Sequence, residues 1–302
     1  MAVGQLSVES SAIAASVRRT VALVRRRGYA LAPARLGELC LGGSIPESEV
    51  RRAVATEREL ALVEGLVVER GAAGAVPAIR ARADGHRESS AGYVEMTRAF
   101  VRRLVTVAPF VTAVSIAGSL ASGGFRTSDD VDLNVIVEDG YRHLAYLVVN
   151  VLGLVHAMRH RTKPVDDLTR RPLAPRLMTV NLILERSECR PLARVDEDMA
   201  FELLVAEPVF GVEAFRELVA DNSALLDHFP QLATKQAPLT VERPGRRASA
   251  WLYPRVLDAP ARHIGRTAWR YMQWTRRHRP AALARVEFVR ATMRPYTLFD
   301  DE

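Results

Sequence analysis

The chain has 302 residues, of which 48% are hydrophobic and 25% charged, and these ordinary globular proportions exclude disordered, collagen-like and coiled-coil proteins. Its two cysteines, Cys40 and Cys189, are far apart and belong to no metal-binding motif, which excludes a disulfide framework and argues against a cysteine zinc site. The net charge is +7, and by segment it is +3 over residues 1–90, −3 over 91–235 and +7 over 236–302.

We expect a cytoplasmic protein without a membrane segment. The N-terminal stretch lacks the basic start and uninterrupted apolar run of a signal peptide. The most apolar segment, residues 144–158, contains Asn150 and His156 and is shorter than the roughly 20 residues that span a bilayer.

The first block, residues 1–88, has the pattern of a small helical domain. It predicts helices at 8–27, 32–41 and 47–60 and a strand at 66–71. This order is that of a winged-helix unit, and other small helical bundles share it. A stretch rich in glycine, alanine and arginine follows at 71–85, and it predicts either a wing or a linker.

The second block, residues 89–235, alternates helical and strand patterns and predicts a mixed α+β domain. Helices are expected at 90–108, 141–159, 196–204 and 212–226, strands at 111–117, 130–137 and 177–184, and loops at 120–128 and 162–175.

The third block, residues 236–302, predicts a basic helical segment. A linker rich in proline and arginine is expected at 238–244 and a helix at 259–278, and the block contains all three tryptophans. Arginines interleaved with aromatic residues are typical of nucleic-acid binding. An ordinary helix with one packed face and solvated arginines opposite has the same pattern.

Candidate chemistry lies where two predicted strands meet. Gly118 and Ser119 end the first strand, and Asp130 and Asp132 stand two residues apart at the start of the next, so that their side chains share one face. Adjacent carboxylates repel unless a cation lies between them, and Mg²⁺ accepts one or two carboxylates plus substrate phosphates. Backbone N–H groups and a hydroxyl in a tight turn can hold a phosphate. A solvated strand start is the competing interpretation of the two aspartates.

The segment IAGSLASGGFRTSDDVDLNVIV resembles the signature of the DNA polymerase β-type nucleotidyltransferase superfamily. The likeness extends to prokaryotic nucleotidyltransferase-domain proteins with an N-terminal winged-helix-like segment, through EDGYRHLAYLVVNVLGL, MTVNLIL and the helical segment after residue 196. It covers roughly residues 28–230. The resemblance implies an α+β nucleotidyltransferase fold, a small mixed sheet with helices, in which Asp130 and Asp132 hold Mg²⁺ or Mn²⁺ and Gly118 and Ser119 hold nucleotide phosphates.

One position departs from that pattern. Many active members of the superfamily have a third carboxylate on the later strand, where this chain has Asn181. An amide oxygen can ligate a metal weakly but cannot accept a proton as a base. Asn181 is therefore a candidate catalytic-site residue without base function, or else a core amide.

Two cations are candidate substrate-binding residues. Arg142, one helical turn after the aspartate strand, could reach a triphosphate, and Lys163 lies in a loop that could cover a nucleotide. A solvated surface side chain is the competing interpretation of each. The seven histidines show no zinc-site spacing.

Three hypotheses remain. The first is an enzyme that transfers a nucleoside monophosphate from an NTP to an acceptor hydroxyl or phosphate and releases pyrophosphate. The second is a DNA-binding winged helix with a degenerate transferase domain that senses a nucleotide, and the third is a noncatalytic scaffold. The expected partners are an NTP and an unidentified acceptor; nucleic acid is not favoured, because the third helix carries several acidic residues.

Overall fold

The computed structural model describes residues 2–160, 177–245 and 248–299. The chain forms two compact units. The first comprises Met1–Gly85, Asp196–Leu204 and Ser223–Lys235, and the second comprises His86–Val195, Val205–Asn222 and Gln236–Glu302. None of the described helices is long and apolar enough to span a membrane.

The described residues form eleven α-helices and six β-strands. The helices are α1 (Ala2–Arg26), α2 (Pro33–Glu38), α3 (Glu47–Thr56), α4 (Val76–Val107), α5 (Gly118–Ser122), α6 (Arg142–Ala157), α7 (Glu197–Val205), α8 (Val212–Ala220), α9 (Ala224–His228), α10 (Asp258–Arg276) and α11 (Pro280–Met293). The strands are β1 (Leu60–Val63), β2 (Leu66–Glu69), β3 (Val111–Ala117), β4 (Val131–Val137), β5 (Met178–Glu185) and β6 (Glu207–Phe210).

The first unit packs α1, α2 and α3 against a two-stranded hairpin. Strands β1 and β2 are antiparallel, with Leu60 opposite Glu69. The turn between them has positive φ at Glu64 and Gly65, the conformation that tight hairpins favour. The sequence analysis predicted one strand here and a helix reaching Leu60. That helix ends earlier because Glu57 already has extended backbone angles.

The stretch 71–85, predicted as a wing or linker, is neither. A short 3₁₀ turn leads into α4, which begins at Val76 and continues unbroken to Val107. Alanine and arginine are good helix formers, and Val76 is fully buried. Gly85 and Gly92 lie inside this helix, and no atom lies within 4 Å of the position that a Cβ would occupy at either glycine. Glycine lowers helix propensity relative to alanine, yet the helix continues through both positions.

The second unit is built on a four-stranded mixed sheet in the order β5-β4-β3-β6. Strand β3 is antiparallel to both β4 and β6, whereas β4 and β5 are parallel. The core between the sheet, α4 and α6 is apolar and includes Phe100, Leu104, Ile116, Leu133 and Val149. A mixed α+β chain with a small mixed sheet is therefore confirmed.

The C-terminal helices belong to the same unit as the sheet. Helix α10 packs against α6. The hydroxyl of Tyr141 donates to the carbonyl of Tyr253 at 2.9 Å. The carboxylate of Asp258 accepts from the backbone N–H groups of His143 and Leu144 at 2.7 and 2.8 Å. Residues 236–302, predicted as a third block, thus lie in the same compact unit as the sheet, and α4 extends across residue 88.

Asp258 caps the start of α6 and also contacts the side chain of His143 at 2.7 Å. Burial raises the pKa of this carboxyl, but hydrogen bonds from His143 and Leu144 lower it more, so that its pKa lies below the usual value. A depressed folded-state pKa stabilises the fold above the unfolded pKa, and this contribution is lost as pH falls through the folded value.

We therefore expect Asp258→Asn to lower the free energy of unfolding by about 1 kcal/mol at pH 7, because the amide oxygen can still accept from the two N–H groups but without charge assistance. The difference from wild type should begin to shrink below the unfolded-state pKa of about 3.9 and disappear below the lower folded-state pKa. Chemical denaturation at pH 7 and at about pH 2 measures both values, with Asp227→Asn, an exposed position, as the control. An equal difference at the two pH values would contradict the capping role.

Both cysteines are free and buried, in agreement with the predicted absence of a disulfide framework. Burial raises the pKa of the Cys189 thiol to about 12. At neutral pH this thiol is protonated, which makes it a poor nucleophile.

Candidate functional site

The turn after β3 lies directly against the carboxylate of Asp132. Gly118 has φ of +60° and follows Ala117, which is the register partner of Asp132 in the antiparallel pair β3–β4. A Cβ built at Gly118 would overlap the Asp132 carboxylate. Glycine is required at this position for both its backbone angle and its lack of a side chain.

Ser119 is tied to the loop that precedes β4. Its hydroxyl donates to Asp129 Oδ2 at 3.2 Å, and the backbone N–H of Arg126 donates to the same oxygen at 3.1 Å. The segment Gly118–Ser122, predicted as a tight turn that runs into a loop at residue 120, forms the single helical turn α5. Asp129 therefore holds the Gly-Ser turn close to the strand that carries the other two aspartates.

Asp130 and Asp132 line one cavity of about 270 Å³ in the second unit. Asp132 Oδ1 accepts a hydrogen bond from the hydroxyl of Thr179 at 2.7 Å. Thr179 is the register partner of Asp132 on the parallel strand β5, and it lines the same cavity. The structure thus brings together the two aspartates predicted from the sequence and adds a hydroxyl beside them.

Asn181 also lines this cavity. The pairing of β4 with β5 shifts by one residue between Leu133 and Asn134, so that Asn181 is the extra residue of a β-bulge. Its amide nitrogen donates to Asn134 Oδ1 at 2.9 Å. Asn181 is half-buried and Asn134 buried, so an amide pair continues the polar row that begins with Asp132 and Thr179.

The opposite wall of the cavity comes from α10, α11 and the segment that follows them. Its lining residues are Trp269, Met272, Gln273, Arg276, Ala282, Val286, Arg290, Tyr296, Thr297, Leu298 and Phe299. The guanidinium of Arg290 lies over the ring of Trp269, 4.9 Å from its centroid. The sequence analysis did not assign any of these residues to the site. The only signal available was the helical spacing of Trp269, Met272 and Arg276, which share one face of α10.

Several contacts fix this wall to the rest of the second unit, among them those of Tyr296 and Phe299. The hydroxyl of Tyr296, which is buried, accepts from the backbone N–H groups of Ala193 and Arg194 at 2.6 and 3.3 Å. Phe299 packs edge-on against Tyr146, and a Cβ at Gly265 would lie only 2.7 Å from the Phe299 ring. The C-terminal wall is therefore packed as closely as a core element.

Arg142 is not among the residues that line the cavity. Its guanidinium donates to Glu188 Oε1 at 2.9 Å and to the carbonyl of Ile183 at 3.2 Å. Glu185, on the same strand as Asn181, accepts the backbone N–H of Gly140 at 2.9 Å, at the far end of β5. Lys163 lies outside the described residues.

The donor set fits a hard divalent cation that is completed by substrate. Asp130 and Asp132 supply two carboxylates, and Thr179 and Asn181 line the same cavity. A third lining carboxylate, Asp129, accepts from Ser119 and from the backbone of Arg126. Within the described part of the chain, no group of three or more His, Cys, Asp or Glu side chains is arranged to hold a metal ion. Mg²⁺ is commonly held by one or two carboxylates together with substrate phosphates, so the residue types present would fit Mg²⁺ that is completed by phosphate oxygens.

No protein-family model, no curated protein and no solved structure matches this chain.

Proposed function

We propose that the protein is a Mg²⁺-dependent nucleotidyltransferase, which moves a nucleoside monophosphate from an NTP to an acceptor hydroxyl or phosphate. The observation that carries this proposal is that Asp132 both lines the cavity and contacts the Gly118 turn. The order of β3, the Gly-Ser turn, β4, α6 and β5 agrees with what the resemblance to the DNA polymerase β-type superfamily implies.

In the proposed reaction an acceptor oxygen attacks the α-phosphorus of the NTP. A bond forms between that oxygen and phosphorus, the bond from phosphorus to the bridging oxygen of the β-phosphate breaks, and pyrophosphate leaves. Asp130 and Asp132 would hold Mg²⁺, which when bound neutralises phosphate charge. Backbone N–H groups at Gly118 and Ser119 would hold the β- and γ-phosphates.

At Asn181 the proposed site has an amide in place of a carboxylate that could accept the proton of a hydroxyl acceptor. Asn181 stands where a base would be useful, and an amide cannot take up a proton. An acceptor that is already ionised, such as a phosphate, needs no base. We therefore propose that a phosphate acceptor reacts faster than a neutral hydroxyl.

The DNA-binding alternative receives little support from the first unit. The first turn of α3 carries Glu47 and Glu49, which pair with Arg51 and Arg52 on the same helix. These arginines are thus partly neutralised, whereas DNA binding needs an excess of positive charge on the contacting face.

Calorimetric titration of the full chain with each of the four NTPs, with Mg²⁺ and with excess EDTA, tests the proposal. We expect at least one NTP to bind in the presence of Mg²⁺ and to lose most of its affinity in EDTA. Absence of binding by all four, or equal binding without the metal, would refute a metal-dependent nucleotide site.

A further inference from the structure

The exposed face of α10 separates the two interpretations of the basic C-terminal segment. An ordinary packed helix would turn its aromatic residues toward the core and its arginines toward solvent. Trp269 meets this expectation, because it lines the cavity together with Met272. Tyr271 and Trp274 do not, since they are 64% and 57% exposed and are not among the residues that line the cavity. Two aromatic rings therefore stand on the outer surface of this basic helix.

These two rings form one stack with Arg277. The rings of Tyr271 and Trp274 are stacked, with centroids 6.0 Å apart and planes 25° from parallel. The guanidinium carbon of Arg277 lies 4.1 Å from the centroid of the Trp274 ring, and its Nη1 donates to the Trp274 carbonyl at 2.8 Å. Because these side chains already hold one another, a ligand that stacks on them loses less conformational entropy on binding.

Positive charge surrounds this stack. Residues 259–286 contain seven arginines and no acidic residue. Arg270, one helical turn before Trp274, is exposed and makes no hydrogen bond or ion pair within the described part of the chain. Desolvation and the charges of Arg262 and Arg270 lower the pKa of Arg266, so the arginines of this helix lie close enough to repel one another. A surface with this charge attracts a polyanion.

We propose that the outer face of α10 binds single-stranded nucleic acid. Bases would stack on Tyr271 and Trp274, and Arg270 and Arg277 would contact phosphates. Stacking requires rings that bases can reach, and each of these rings is more than half exposed. In a duplex the bases are already stacked on one another, so a single strand gains more from this surface. The inference does not rest on the proposed transferase function, because none of these four residues lines the cavity.

An anionic membrane also attracts basic helices that carry aromatic residues. A helix that lies in a membrane interface separates an apolar face from a basic face. On α10 the two are mixed, because the guanidinium of Arg277 lies on the Trp274 ring itself. This mixture matches a chain in which phosphates alternate with bases, and it favours nucleic acid over a lipid surface.

Fluorescence anisotropy of the full chain with a labelled oligothymidylate of about 20 nucleotides tests the proposal. We expect binding that weakens as the salt concentration rises, because phosphate contacts release counterions. Binding should persist in excess EDTA, since rings and arginines need no metal. Absence of binding, or binding only with Mg²⁺, would overturn the proposal. Equal affinity for the same strand paired with its complement would refute the stacking role.

Ring variants test the stacking directly. Tyr271→Ala and Trp274→Ala should each weaken oligonucleotide binding by about tenfold or more, the usual loss when an aromatic stacking partner is removed. Tyr271→Phe keeps the ring and should stay within about twofold of wild type. Trp251→Ala removes an exposed tryptophan that precedes α10 and should have an equally small effect. Affinities of the two alanine variants equal to that of Trp251→Ala, at unchanged melting temperatures, would overturn the assignment.

The salt dependence tests the phosphate contacts. Arg270→Gln should lower the slope of log affinity against log salt concentration by about 0.7, the contribution of one phosphate contact with a single strand. Arg58→Gln removes the same charge at an exposed position of the first unit and should leave the slope unchanged. The same slope in both variants would mean that Arg270 contacts no phosphate.

Cosedimentation with phosphatidylcholine vesicles that contain phosphatidylserine tests the membrane alternative. We expect no vesicle binding that depends on Trp274. Vesicle binding that is lost in Trp274→Ala, in a protein that does not bind the oligonucleotide, would assign this face to a membrane and overturn the proposal.

Discussion

Asp132→Asn should lower Mg²⁺-dependent NTP affinity by about 100-fold or more, which corresponds to about 2.7 kcal/mol. Asp132 is the carboxylate that contacts the Gly118 turn, accepts from Thr179 and lines the cavity. Asparagine retains an oxygen that can accept the Thr179 hydrogen bond but loses the charge that a divalent cation needs. Calorimetry with the best-binding NTP, at saturating Mg²⁺, measures the difference.

The fold should survive this change. Asp129, Asp130 and Asp132 bring three negative charges to one end of β4, so removing one reduces their repulsion. The control is Glu138→Gln, which removes a carboxylate at the opposite end of the same strand, where Glu138 pairs with Arg186. Wild-type NTP affinity in the Asp132 variant, with an unchanged melting temperature, would mean that this carboxylate holds no metal.

Asn181→Asp should raise the rate of transfer to a neutral hydroxyl by about 100-fold, since a positioned general base is worth about 10²–10⁴-fold. The new carboxylate would stand in the cavity beside Asp132 and could accept the acceptor proton. Pyrophosphate release from Mg²⁺–NTP, with water or glycerol as acceptor, reports the rate.

Local structure allows this substitution. Within the part of the chain that the structure describes, the buried amide nitrogen of Asn134 has no hydrogen-bond partner, and a flip of that amide would let it donate to the new carboxylate. Partial burial of a charge still costs stability, so thermal melting must accompany the kinetics. Asn181→Ser, which removes the amide without adding a carboxylate, is the control and should not accelerate the reaction. Loss of activity in Asn181→Asp at unchanged stability would show that the amide orients substrate.

Much of the sheet could be predicted from the chain itself. Strands β3, β4 and β5 were predicted to within one or two residues, because each is an apolar run that ends in glycine, proline or charged residues. The short strand β6 and the hairpin strand β1 were missed. Each has four residues, too few for periodicity to distinguish a strand from the end of a helix.

The aspartate pair illustrates what local spacing can determine. The spacing of two residues predicted that Asp130 and Asp132 share one face of a strand. In the structure β4 begins at Val131, so Asp130 lies just before the strand, and both aspartates line the same cavity. Arg142 illustrates the limit. Arg142 follows β4 closely in the chain, yet α6 starts at the end of β4 that lies opposite to Asp132. There the Arg142 guanidinium donates to Glu188.

The sequence by itself determined the mixed α+β class and the strands that carry Asp132 and Asn181, because each depends on residues adjacent in the chain or on one strand. Only the tertiary structure decided which side chains face the aspartates. Arg276 and Arg290 lie more than 140 residues after Asp132, and they line its cavity because α10 packs on α6. The final segment is fixed by contacts of Phe299 with Tyr146 and of Tyr296 with the backbone of Ala193. Contacts between such distant residues depend on how whole elements pack, and no local periodicity encodes that packing.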